Sequence, residues 1–173
     1  VDLKSHTTAD GADYYGVNPK GYVPALQLDD GQILTEGPAI VQYLADQKPA
    51  AGLLPPAGTL ERARVQEWLT FIGTEIHKSF SPLFRPDAAA DWKTAARANL
   101  DRRLGFADQA LAGRDYLTGD RFCVADAYLF TVASWTRPMK IDTAAWPNLA
   151  AYLARVAARP AVREAMVAEG LVK

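Results

Sequence analysis

Apolar positions change their spacing part-way along the chain. In the first fifty residues, Ala25-Leu26-Gln27-Leu28 and Gln32-Ile33-Leu34-Thr35 are short alternating or apolar runs on either side of Asp29-Asp30-Gly31. Asp-Gly supplies the positive backbone dihedrals of a tight turn, so the pair predicts a β-hairpin. Ala39, Ile40, Tyr43 and Leu44 then recur at helical spacing behind Pro38, which costs no hydrogen bond in a first helical turn; a short helix follows and ends near Asp46. The opening Val1-Asp2-Leu3 reads as strand. The segment from Lys48 to Gly58 holds three prolines and two glycines, which neither a helix nor a central strand continues through. It predicts a first domain over 1–47, a linker over 48–59 and a second domain over 60–173.

Beyond the linker the strand pattern stops. Val65, Trp68, Leu69, Ile72, Ile76 and Phe80 form one helical stripe, with Pro82 marking its end or a kink. Leu100, Leu104, Ala107 and Leu111 form a second, leaving Arg102, Arg103 and Asp108 for water and Gly113 as a C-terminal cap. The run from about Cys123 to Trp135 is apolar nearly all round, which predicts the buried central helix of a bundle. Two shorter amphipathic helices close the chain, one carrying Leu149, Tyr152, Leu153 and Val156, the other starting at Pro160. The fold class is α+β, a small sheet-bearing domain followed by an all-α bundle.

Composition narrows the function. Of 173 residues, 49% are apolar and 23% charged, so the chain folds and buries a core rather than staying disordered. Its 19 basic and 20 acidic residues leave a net charge of −1, without the basic field that holds a nucleic-acid backbone. A DNA-binding helix would need the arginines at 62 to 64 or 97 to 103, and apolar or acidic residues interrupt both runs. One cysteine, Cys123, and two histidines, His6 and His77, make no disulfide and no metal-ligand cluster. With no apolar run near the roughly 20 residues of a membrane span, a cytoplasmic protein is expected, with no metal and no membrane partner.

Three segments carry candidate chemistry. In Val17-Asn18-Pro19-Lys20-Gly21-Tyr22-Val23-Pro24 the prolines force extended geometry at Asn18 and Val23. Val23–Pro24 is a candidate cis bond that would turn the backbone of Val23 toward a ligand; taken alone, the segment is a turn. Thr35-Glu36-Gly37-Pro38 stands where a strand hands over to a helix. Free first-turn amides there attract a carboxylate while Glu36 receives an ammonium, a pairing suited to an amino acid, and the plain alternative is helix capping. In Glu75-Ile76-His77-Lys78, Ile76 belongs to the apolar stripe and its neighbours point elsewhere, His77 being either a surface or structural residue or a catalytic one. Asp126, three residues past Cys123, reads as half of a capping box, a folding motif. Trp68, Phe80, Phe84 and Trp135 read as core, or as the wall of an apolar pocket.

The order NPKGYVPAL, hairpin, LTEGPAIVQYLAD, Pro-rich linker, EWLTFIGTEIHK, SPLF, FCVADAYLF and ARPAVREA resembles the cytosolic glutathione S-transferases, specifically the bacterial beta class, over almost the whole chain. The resemblance implies an incomplete thioredoxin-like N-terminal domain, an all-α glutathione transferase C-terminal domain, and a detoxifying homodimer with glutathione as co-substrate in an interdomain cleft. It implies that Val23 holds the cysteinyl backbone, Glu36 and Gly37 the γ-glutamyl end, and His77 and Lys78 the thiol and the glycyl carboxylate, with His77 catalytic. Glu75 matches a position reaching the partner subunit's glutathione, although Thr70 stands where relatives often carry Asn. Phe84, Tyr128 and Trp135 are expected to shape the pocket for an apolar electrophile. Cys123 replaces the Ser or Thr usual at its helix cap, which predicts a cap weaker by about 1 kcal/mol. Val1 corresponds to the family's second strand, so the strand and helix bearing the usual catalytic cysteine, serine or tyrosine are expected to be missing, leaving Val1 to Leu3 unpaired and this chain alone nearly inactive. The alternative is a non-catalytic module of the same fold, used for dimerisation or ligand carriage.

Overall fold

The hairpin forms where the alternating pattern places it. Strands β1 (Ala25–Gln27) and β2 (Ile33–Thr35) pair antiparallel, with Ala25 opposite Thr35, Leu26 opposite Leu34 and Gln27 opposite Ile33. The computed structural model describes residues 1–172. In the turn only Gly31 takes a positive φ, 85°, and the loop closes through Gly31 N–H to the Leu28 carbonyl at 2.9 Å and Leu28 N–H to the Gln32 carbonyl at 2.8 Å. Helix α1 (Gly37–Asp46) follows with Pro38 in its first turn. It buries Ile40 and Ala45, whereas Tyr43 and Leu44, predicted on the same stripe, are exposed.

Val1 to Leu3 depart from expectation. They are not a strand, and Asp2 has a pairing neighbour: Asp2 and Thr7 form an isolated antiparallel bridge, and Thr7 bridges Asp13. The partner is local because the chain reverses within five residues, with Asp2 Oδ1 accepting the Lys4 N–H at 2.7 Å.

The described chain divides into two compact units, Val1–Leu54 and Pro55–Lys173. In the second, helix α2 (Leu60–Phe71) starts at Thr59, whose hydroxyl accepts the Arg62 N–H at 3.2 Å. The predicted single stripe is not one α-helix. A π-helical stretch, Ile72–His77, separates α2 from α3 (Lys78–Phe84). Leu69, Ile72, Ile76 and Phe80 are all buried, so spacings of three and four hold the apolar side inward through the change of pitch. Pro82 lies inside α3 instead of ending it, and the last turn closes from Arg85 N–H onto the Pro82 carbonyl at 3.3 Å.

Helix α4 (Ala90–Ala110) buries Leu100, Leu104 and Ala107 as its spacing predicts. Two of the three polar residues assigned to water are engaged by neighbours. Arg103 meets Glu75 at 2.7 Å, and Asp108 accepts Leu149 N–H at 2.9 Å and Asn148 Nδ2 at 3.1 Å, capping α6 (Pro147–Ala157) from another helix. Both stand beside the apolar stripe, where a packed neighbour reaches them. Gly113, with φ 70°, lies three residues past the helix end, in the turn after it. Helix α7 (Pro160–Ala168) follows α6 and buries no residue.

Helix α5 (Val124–Ser134) is the central helix, packed against α2, the π stretch and α6. Its entry is fixed by Asp126, fully buried, which accepts Cys123 N–H at 2.9 Å on Oδ2, and Leu117 N–H at 2.9 Å and the Tyr152 hydroxyl at 3.2 Å on Oδ1. The same hydroxyl donates to the Asp126 carbonyl at 3.0 Å. The predicted half capping box is thus the hub of a buried network linking a loop and two helices.

Candidate functional site

In the first unit, the NPKGYVP loop is held from within. Asn18, buried, donates to the Tyr22 carbonyl at 2.7 Å, joined there by the Tyr14 hydroxyl at 2.9 Å, while Asn18 Oδ1 accepts Lys20 N–H at 3.2 Å. Gly21 has φ 69°, and a Cβ there would lie 2.8 Å from the Tyr15 ring and 3.2 Å from His6, so the loop passes close against these two mutually tilted rings. The Val23–Pro24 peptide is cis, and Val23 is 46% exposed.

Glu36 occupies the strand-to-helix junction with φ 72° and ψ 110°, a region that favours glycine, and its side chain makes no cap bond to α1. The capping explanation therefore does not account for it. Its carboxylate meets Lys20 Nζ at 2.5 Å, both side chains being exposed. A non-glycine residue held at positive φ costs about 1 kcal/mol or more and persists only where the surrounding structure enforces it. Gly37 follows, half-buried, at the first turn of α1. Lys20 went unnoticed in the sequence, because a pairing across sixteen residues depends on how the loop folds and leaves no spacing signal.

In the helical unit the π stretch carries Glu75 and His77. His77 Nδ1 lies 2.7 Å from the Tyr128 hydroxyl, and its ring packs edge-on to Trp135 with centroids 4.7 Å apart. Trp135 also meets Phe80 at 5.6 Å and Phe84 at 5.3 Å, both nearly perpendicular. Of the aromatics read as core or wall, Phe80 is fully buried, Trp135 and Tyr128 are half-buried, and Phe84 is 45% exposed. Trp68 stands apart, packed with Phe71 and Phe106. The structure thus gathers His77, Tyr128, Trp135 and Phe84 in one cluster. Lys78 is exposed beside it, Glu75 is turned to Arg103, and Thr70 bonds its own helix at the Gln66 carbonyl, 2.8 Å away.

Cys123 is buried in the α5 entry, and that burial, reinforced by Asp126, pushes its thiol up to about 12. At neutral pH it stays protonated and serves no nucleophilic role. Native protein is accordingly expected to resist iodoacetamide and urea-unfolded protein to alkylate fully, with mass spectrometry reading the adduct; rapid native labelling would contradict this. Among the described residues no group of three His, Cys, Asp or Glu could hold a metal ion, and no helix is long and apolar enough to cross a membrane.

Comparison with known proteins agrees with both halves of the chain. Residues 1–47 match the family described as glutathione S-transferase, N-terminal domain, and residues 71–160 match its C-terminal domain. Glutathione S-transferase GstA of Escherichia coli O157:H7 is 48% identical over 171 residues, 99% of this chain and 85% of that protein. A solved sphingomonad glutathione S-transferase complexed with glutathione is 48% identical at TM-score 0.94, covering 99% of this chain and 86% of its own. A bacterial beta-class enzyme from Sphingomonas chungbukensis is likewise 48% identical, at TM-score 0.95 and the same coverage.

Proposed function

This chain belongs to the glutathione S-transferase family, and from that premise we propose how its residues take hold of glutathione and a second substrate. It is a glutathione transferase, with glutathione as co-substrate, thioredoxin-like in its N-terminal half and all-helical in its C-terminal half. The assignment to the bacterial beta class, a cytoplasmic homodimer and an apolar electrophile belong to the proposal, as does a division into a glutathione-binding domain over 1–47, a linker over 48–59 and a helical domain over 60–173.

In this reading, Val23 pairs its backbone with the cysteinyl unit of glutathione. Glu36 receives the γ-glutamyl ammonium, and the Gly37 N–H, at the positive end of α1, receives the carboxylate. Lys78 pairs with the glycyl carboxylate and His77 serves the sulfur. Glu75, steadied by Arg103, reaches the glutathione of a second subunit. Phe84, Tyr128 and Trp135 wall the electrophile. Cationic and hydrogen-bond-donating groups near the sulfur favour the charged form of the thiol. The thiol gives up its proton to solvent water, and the thiolate sulfur then bonds to the electrophilic carbon as the leaving group departs with its electron pair.

The observation that carries the proposal is Glu36, whose exposed carboxylate is held at the entry of α1 on backbone of positive φ, beside Lys20. Calorimetry with glutathione and sedimentation test it together. Wild type is expected to bind glutathione and to sediment at twice the chain mass, and Lys78→Ala to weaken binding roughly 10-fold through loss of a charged hydrogen bond. A wild-type protein giving no binding heat would sink the reading.

A further inference from the structure

We propose that Tyr128 is a positioning residue for His77: its hydroxyl donates to Nδ1 and so fixes the single proton of the neutral imidazole on Nε2. This rests on the reading of His77 as the group serving the glutathione sulfur, and adds which edge of the ring does so and what sets it.

The geometry is specific. The Tyr128 oxygen lies 2.7 Å from His77 Nδ1, a full-strength hydrogen bond. Imidazole nitrogen is a stronger base than phenolic oxygen, and phenol, with a pKa of about 10, is a stronger acid than the N–H of neutral imidazole. The favoured direction is therefore O–H to Nδ1. A neutral imidazole carries one N–H, so the proton resides on Nε2, the tautomer being set by the bond made at the other nitrogen. An Nε2–H is a donor and stabilises a thiolate. The opposite tautomer would turn a lone pair toward the sulfur and oppose the charge.

Packing keeps the arrangement from swapping. The imidazole stands edge-on to Trp135 at 81°, and Trp135 is itself braced by Phe80 and Phe84. The Tyr128 hydroxyl sits against the π stretch, where a Cβ on Gly73 would lie 3.5 Å from its oxygen. A helix turn that presents His77 thus also presents a bare glycine to the hydroxyl, and a Cβ there would come into contact with it.

Long-range proton–nitrogen NMR of the imidazoles tests this directly, because the chain has two histidines and a His6→Gln variant assigns their signals. In wild type above the imidazole titration, His77 is expected to show Nε2 protonated and Nδ1 bare. In Tyr128→Phe, which keeps the ring and removes only the hydroxyl, it should show both tautomers in exchange. With chlorodinitrobenzene as electrophile, Tyr128→Phe should lose about 10-fold in kcat while KM for glutathione moves less than about 2-fold. A wild-type spectrum with the proton on Nδ1 overturns the proposal without any variant having to fold. So does a Tyr128→Phe protein that keeps the wild-type tautomer or the wild-type kcat while His77→Ala is impaired. If His77→Ala itself turns over like wild type, the parent reading of His77 falls instead.

Discussion

Asp126→Ala is expected to unfold at a far lower urea concentration than wild type, a loss of about 3–5 kcal/mol of stability. The residue is inaccessible to solvent and gives its two oxygens to three donors, Leu117 N–H, Cys123 N–H and the Tyr152 hydroxyl. Truncation strands two buried backbone N–H groups, each costing about 1–3 kcal/mol when unpaired, and leaves the Tyr152 hydroxyl only the Asp126 carbonyl. Asp126→Asn keeps the shape but turns an NH2 toward donors, and should lose less. The pH dependence separates charge from geometry. Burial holds the Asp126 carboxyl above its ordinary 3.8, against the pull of its donors. Over the window that opens at 3.8 and closes at the folded value, the native state keeps a proton that the unfolded state has released. Its contribution to stability is therefore greatest below that window and is lost as pH rises through it. Asp126→Asn should remove that slope. Equal midpoints for wild type and Asp126→Ala would refute the role.

Glu36→Gln is expected to weaken glutathione by roughly 10- to 150-fold in calorimetry, the equivalent of about 1.5–3 kcal/mol for a charged hydrogen bond replaced by a neutral one. Fold stability should barely change, since the Lys20–Glu36 pair is exposed and worth at most about 1 kcal/mol. Glu36→Gly sharpens the contrast. Glycine takes φ 72° without steric cost but gives up more chain entropy on folding, and the two offset to within about 1 kcal/mol. Binding should collapse while the melting temperature stays close to wild type. A Glu36→Gln protein with unaltered affinity would move the γ-glutamyl site elsewhere.

What the sequence made legible follows from range. The hairpin, α1 and the bundle helices rest on periodic apolar spacing and on Pro and Gly at their ends, signals complete within ten or fifteen residues. The π stretch hid because Leu69, Ile72, Ile76 and Phe80 are spaced as an α-helix would space them. Arg103, Asp108 and Asp126 were read from their own helices, while the groups that engage them come from residues 75, 117, 148, 149 and 152. Of the site, Glu36 was visible as a junction residue and Val23 as the residue before a candidate cis proline, whereas Lys78 and Glu75 took their roles only from family resemblance. Lys20 and the Tyr128–His77 bond carried no local trace.

The π stretch also leaves the helix room to change. A π turn holds about one residue more than an α turn, so deleting one residue between Ile72 and His77 would restore ordinary pitch while leaving α3 at nearly the same rotation. Phe80 and Phe84 would then stay against Trp135. The stretch is thus a place where the helix can absorb a single-codon loss without repacking either end.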